Sequence, residues 1–238
     1  MERIDDLHRD GLKIFQDPAL FCFGVDAVLL TGFVKAKPGE KLLDLGTGNG
    51  VIPILLSAKT EAELLVGLEI NAESAALARK SIALNKLEGK VRVDEGDIKN
   101  ISAYYKLSEF DVVTANPPYI AENSGLLNER AAVSAARHEL LCSLEDVIKA
   151  AARVLKPGGR FYMIHRPQRL TDILSLLRQY KVEPKFLRFI QPTAKQAPTM
   201  IIVEAVKGGK PALKIPAPIV IYNDDRSYTD EVRGIYYD

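Results

Sequence analysis

Two cysteines and three histidines in 238 residues leave this chain little with which to hold a metal. Cys22, Cys142, His8, His138 and His165 fall into no CxxC, HExxH or other ligand spacing, so no structural zinc is expected. The opening Met1-Glu2-Arg3-Ile4-Asp5-Asp6 lacks the basic-then-apolar layout of a signal peptide, and no apolar run approaches the ~20 residues that cross a bilayer. A soluble cytoplasmic monomer without a membrane partner is the expectation. Internal repeats are missing too, and so is any boundary that would mark a second folding unit. One domain over 1–238 is expected, with 1–37 an N-terminal hairpin and helix, 38–207 the core and 208–238 a tail.

What the chain does have is apolar content, 47% of its residues, enough for a large core. Its net charge of +1 says nothing about partners, but the distribution does. Between Lys156 and Lys214, twelve Lys or Arg stand against three acids, a local balance of +9. Such an imbalance is either a solvated face or the footprint of a polyanion.

Element patterns alternate in the manner of an α/β fold. Leu12–Gln16 reads as a strand, with Leu20–Phe23 as its possible hairpin partner after the Asp17-Pro18 turn. Val25–Val34 has helical spacing, and its first residues, Asp26 among them, could face a ligand. Strands are expected at Lys41–Leu45, Leu64–Ile70, Val91–Asp97, Phe110–Ala115 and Arg160–His165. Helices are expected at Val51–Lys59, Ala72–Asn85, Leu140–Leu155 and Leu170–Tyr180, the third of these closed by Lys156-Pro157-Gly158-Gly159. Lys185–Ile190 and Met200–Val206 lie too close for a helix between them and should pair as an antiparallel hairpin at the sheet edge. The result is a Rossmann-like, doubly wound, seven-stranded sheet, mostly parallel with an antiparallel edge strand. The tail around Ile219–Tyr222 either extends that edge or packs on the surface.

Several polar features fall at the ends of these strands. After Asp44-Leu45 comes Gly46-Thr47-Gly48-Asn49-Gly50, a GxGxG loop that opens a helix. Glycines there let the backbone turn tightly and approach a ligand, and the helix end offers unpaired N–H groups. The dinucleotide fingerprint places its third glycine one residue further on, so a pyrophosphate fits less well than a carboxylate-bearing ligand. Glu69, followed by Ile70, ends the second core strand where an acid can accept both ribose hydroxyls of an adenosine. Asp97 ends the third, placed to accept from an adenine amino group, with Ile98 supplying a backbone N–H. Phe110–Ala115 stops at Asn116-Pro117-Pro118-Tyr119. The prolines have no N–H and steer the chain away from helix, leaving carbonyls free to accept hydrogen bonds. The Asn116 amide oxygen and the Tyr119 ring complete a lip suited to a planar amine.

In this order, Asp44-Leu45-Gly46-Thr47-Gly48-Asn49-Gly50, Glu69, Asp97 and Asn116-Pro117-Pro118-Tyr119 resemble the class I S-adenosylmethionine-dependent methyltransferases that act on amino groups. The resemblance spans roughly residues 40–206. Phe23–Leu30, Ala136-Arg137-His138-Glu139 and Tyr222–Thr229 are similar to the bacterial valine-tRNA adenine-N6 methyltransferases and extend it over most of the chain. Protein-glutamine methyltransferases share the Asn-Pro-Pro-Tyr end but carry a long helical domain before the glycine loop, where only some forty residues stand here.

The resemblance implies S-adenosylmethionine as cofactor, bound by Asp26, Asp44, Gly46, Thr47, Gly48, Asn49, Gly50, Glu69, Ile70, Asp97, Ile98 and Asn116. It implies Asn116, Pro117, Pro118 and Tyr119 as the catalytic lip, and tRNA as the partner, met by the basic surface of 156–214. The segment Glu122–Val133 is expected to lie over the site.

Overall fold

In the computed structural model the described residues are 2–20, 22–117 and 142–237. Expectations for Pro118, Tyr119, Glu122–Val133 and Ala136–Glu139 fall outside them. The core is one mixed sheet in the order β10-β8-β9-β7-β6-β3-β4-β5, where β3 is Lys41–Leu45, β4 Leu64–Glu69, β5 Val91–Glu95, β6 Phe110–Ala115, β7 Leu155–His165, β8 Val182–Gln191, β9 Met200–Lys207 and β10 Ile219–Val220. From β5 across to β7 the strands are parallel. β9 runs against both β7 and β8, so the expected hairpin forms and carries the antiparallel pairing at this side of the sheet.

The eighth strand comes from the tail. Ile219 and Val220 pair in parallel with Ile190 and Gln191 of β8, so the tail extends the edge, and Pro216 and Pro218 stand just before it. Proline cannot donate to a further strand, which suits it to a sheet margin.

Alternation along the central strands sends neighbours to opposite faces. Leu42, Val112, Tyr162 and Ile164 pack with α1 (Val25–Thr31), α2 (Val51–Lys59) and α3 (Ala72–Leu84). Leu43, Val113, Phe161 and Met163 pack with α4 (Leu144–Val154) and α5 (Leu170–Gln179). Two apolar layers thus enclose a sheet whose carboxyl ends are left to the loops. α4 starts at a capping box, in which the Ser143 hydroxyl accepts from Asp146 N and the Asp146 carboxylate accepts from Ser143 N. The last helix, α6 (Asp230–Tyr237), lies across α1, where a side chain on Gly32 would meet Ile235 at 2.9 Å.

Two local expectations need correction. Lys13–Gln16 (β2) pairs with Arg3–Asp6 (β1) and not with Leu20–Phe23. Three residues with positive φ, His8, Asp10 and Gly11, turn the chain between them while Leu7 and Leu12 are buried beneath. The segment after the Asp17 turn is tied instead by Phe23 N–H donating to Gln16 Oε1 at 3.2 Å. Lys156–Gly159 also does not separate α4 from its strand. Leu155 already pairs with Phe110, and the register shifts before Val112 meets Arg160, so the Pro-Gly-Gly segment is an irregularity inside β7. No helix among the described residues is long and apolar enough to cross a membrane.

Candidate active site

The carboxyl ends of β3, β4, β5 and β6 bring the expected groups together. β3 delivers Asp44, fully buried, one residue before its end. Its register partner on β6 is Thr114, whose hydroxyl donates to Asp44 Oδ1 at 2.7 Å. The other oxygen, Oδ2, is buried without a hydrogen-bond partner, as is Thr47 Oγ1. Burial pushes the Asp44 carboxyl up to about 7, against the pull of the Thr114 hydroxyl and with help from the Glu69 charge.

The loop then turns through three left-handed glycines, Gly46, Gly48 and Gly50 at φ +70, +57 and +83. Gly46 and Thr47 N–H donate back to Leu68 O at 2.9 and 3.1 Å, which folds the loop over β4. Glu69 fastens it there. One oxygen accepts from Gly48 N at 2.8 Å and the other from Asn71 N at 2.8 Å. A carboxylate offers about four lone-pair positions, so both oxygens can still accept from two hydroxyls.

Ile70 follows with nearly half its surface exposed, an apolar side chain at the rim of a polar site. Asp97 Oδ1 accepts from Lys99 N at 2.9 Å and caps the short 3-10 helix that begins at Ile98. A side chain on Gly46 would come within 4.0 Å of Ile98 Cδ1, so Ile98 stands over the glycine loop. Asn49 is turned another way. Its Nδ2 donates to Phe15 O at 3.5 Å and ties the loop to the N-terminal hairpin.

Asn116 lies just past β6, on the Thr114 face of the sheet, and its Nδ2 donates to Asp26 Oδ2 of α1 at 3.0 Å. That bond fixes the amide so that its carbonyl oxygen points away from Asp26. Pro117 follows, half-buried.

Sequence reasoning missed two contributors. Thr114 was readable as a hydroxyl in an otherwise apolar strand. Gly67 was readable as a glycine inside a strand, which signals close approach: a side chain there would meet Thr47 at 2.5 Å. Cys142 is not one of them: burial, then the charges of Asp146 and Asp97, push its thiol up to about 12, so it stays protonated and is no nucleophile at neutral pH.

The donor set fits S-adenosylmethionine. Left-handed glycines leave open space beside Gly48, where nothing lies within 4 Å of an added side chain. An apolar rim, a strand-end carboxylate and a capping aspartate surround the loop, while among the described residues no group of three or more His, Cys, Asp or Glu could hold a metal ion.

A family model described as a methyltransferase domain matches residues 36–202, and the chain belongs to that family. It is an S-adenosylmethionine-dependent methyltransferase, with S-adenosylmethionine as cofactor. The curated tRNA1(Val) (adenine(37)-N6)-methyltransferase of Trichodesmium erythraeum (strain IMS101) is 29% identical over 211 residues, 84% of each chain. The protein of that name from Aeromonas salmonicida (strain A449) is 25% identical over 158 residues, 66% of this chain and 64% of the relative, just under two thirds of its length. Among solved structures, a "predicted O-methyltransferase", protein Atu636 from Agrobacterium tumefaciens, superposes with a TM-score of 0.71 at 24% identity, covering 89% of this chain and 95% of that one. At that identity the likeness is one of fold.

Proposed function

We propose that the protein methylates the exocyclic N6 of an adenine in tRNA, in the anticodon loop of valine tRNA. The observation that carries this reading is the Asn116 amide, held by Asp26 so that its oxygen is presented as an acceptor at the end of β6. The names of the relatives support the RNA.

When bound, the cofactor supplies a methyl group already activated by a sulfonium, so the chain has mainly to align the acceptor. An adenine amino nitrogen is a weak nucleophile because its lone pair is delocalised into the ring. On this reading the Asn116 side-chain oxygen and the Pro117 carbonyl accept its two N–H groups and turn the lone pair out of the ring plane. Tyr119 stacks on the base, a contact worth on the order of 1–3 kcal/mol. Extruding the base costs a few kcal/mol, less from a single-stranded loop than from a duplex. Glu69 receives the ribose hydroxyls, Asp97 and Ile98 the adenine edge of the cofactor, and Asp44 with the loop Gly46–Gly50 its amino-acid end.

Mass spectrometry of nucleosides from tRNA incubated with enzyme and S-adenosylmethionine should show N6-methyladenosine. Asn116→Ala should abolish it while leaving calorimetric binding of the cofactor within about twofold. Methylation of a release-factor glutamine in place of tRNA would move the substrate to protein, and full turnover by Asn116→Ala would sink the site.

A further inference from the structure

Asp26 was expected among the cofactor ligands, but its described hydrogen bond runs to the acceptor side of the site. We infer that Asp26 is a positioning residue for methyl transfer: it fixes which way the Asn116 amide faces. This rests on the reading of Asn116 as the group that accepts from the substrate amine.

An amide can sit in two orientations that differ by exchange of oxygen and nitrogen, and only one presents an acceptor to an incoming N–H. Asp26 is a carboxylate and has acceptors only, so at 3.0 Å it selects the orientation with Nδ2 towards itself. The carboxylate that accepts from that N–H also pushes electron density through the amide onto the opposite oxygen, which makes it a better acceptor.

The placement of the carboxylate is itself constrained. Asp26 is buried in the first turn of α1, and its Oδ1 lies over Gly24, where an added Cβ would come within 2.7 Å of it. The φ of Gly24, −111, suits any residue, so it is space and not backbone freedom that a glycine supplies here. A side chain at 24 would push the carboxylate off Asn116. Phe23-Gly24-Val25-Asp26 is thus one device that ends at an amide four strands further along the chain but adjacent in space.

The test separates this inference from the reading it rests on. Asp26→Ala should lower kcat for tRNA methylation 10- to 100-fold with cofactor Kd and Tm little changed, and Gly24→Ala should lower it by a smaller factor. Asn116→Asp alone places two carboxylates face to face, and adding Asp26→Asn should restore at least tenfold of the activity lost. Independently of turnover, the Asn116 side-chain NH2 should exchange several-fold faster in Asp26→Ala, read by nuclear magnetic resonance. Unchanged exchange, or a tenfold loss of cofactor affinity at unchanged kcat, overturns the positioning role. Full activity of Asn116→Ala would instead overturn the assignment of Asn116 itself.

Discussion

Asp44 occupies a position where a carboxylate is costly to keep charged. It has no solvent, one hydroxyl donor and an unpartnered second oxygen. With its folded pKa raised to about 7 from 3.8, mainly by burial, the native state holds a proton that the unfolded chain has already lost over that interval. Stability must therefore fall as pH rises from about 4 towards 7, and level off above. The size is on the order of a few kcal/mol at most, since each unit of pKa is worth about 1.4 kcal/mol. Asp44→Asn keeps an acceptor for Thr114 and removes the titration. Its Tm should vary less than that of the wild type between pH 5 and pH 8, with the largest gain at pH 8; parallel Tm curves would assign the slope to other groups.

Among the elements, β4 and the glycine loop are the closest pair. Thr47 folds back on β4, and the strand accommodates it only because residue 67 has no side chain. Gly67→Ala should push the loop outward, costing about 1–3 kcal/mol in urea unfolding and at least tenfold in cofactor affinity by calorimetry. Retained affinity would mean the loop can shift without consequence. A second element contact is the docking of α6. Arg188 on β8 donates from Nη1 and Nη2 to Glu231 at 2.5 and 2.9 Å, and from Nε to Ala217 O at 2.8 Å. Arg188→Ala should lower stability by roughly 1 kcal/mol, a figure held down because Glu231 is substantially exposed. These elements also show what a sequence can carry. The strand Leu42-Leu43-Asp44-Leu45, the GxGxG loop and the order of strand-end acids are local patterns, and all were legible. The partner of β2 was not, because two candidate segments of similar length flank it and the choice is made by docking. Phe15 N donates to Ser81 Oγ and Lys13 N to Asn85 Oδ1, both on or just after α3 and some seventy residues away. The Asp26–Asn116 bond was invisible for the same reason, although both residues were singled out.

At the scale of the whole molecule, the basic balance between Lys156 and Lys214 is divided by the sheet. An RNA loop that presents a base to Asn116 has to approach from the carboxyl ends of the parallel strands. Lys156, Arg160, Lys185 and Lys207 lie towards the opposite, amino-end side, as the pairings Arg160 with Val206 and Val182 with Lys207 require, and Arg178, Lys181, Lys210 and Lys214 accompany them. Several are already engaged: Lys156 with Asp111 at 2.8 Å, Arg160 with Glu40, and Arg178 with Glu183 at 3.3 Å. On the carboxyl-end side stand Arg166, Arg169 and Lys195, joined by exposed Arg226 from the tail turn that follows β10. Lys195 meets Asp224 only at 3.7 Å, with both side chains more than four-fifths exposed, so that pair is easily exchanged for a phosphate. Each phosphate contact removed should lower the salt slope of RNA binding by about 0.7–0.9. Lys195→Glu with Arg226→Glu should therefore raise the KM for tRNA several-fold at low salt and flatten its dependence on salt. Lys181→Glu with Lys210→Glu, equal in charge change but on the far side, should leave both unchanged. The reverse result would place the RNA at the amino ends of the strands, where it could not reach Asn116, and would end the tRNA reading together with its footprint.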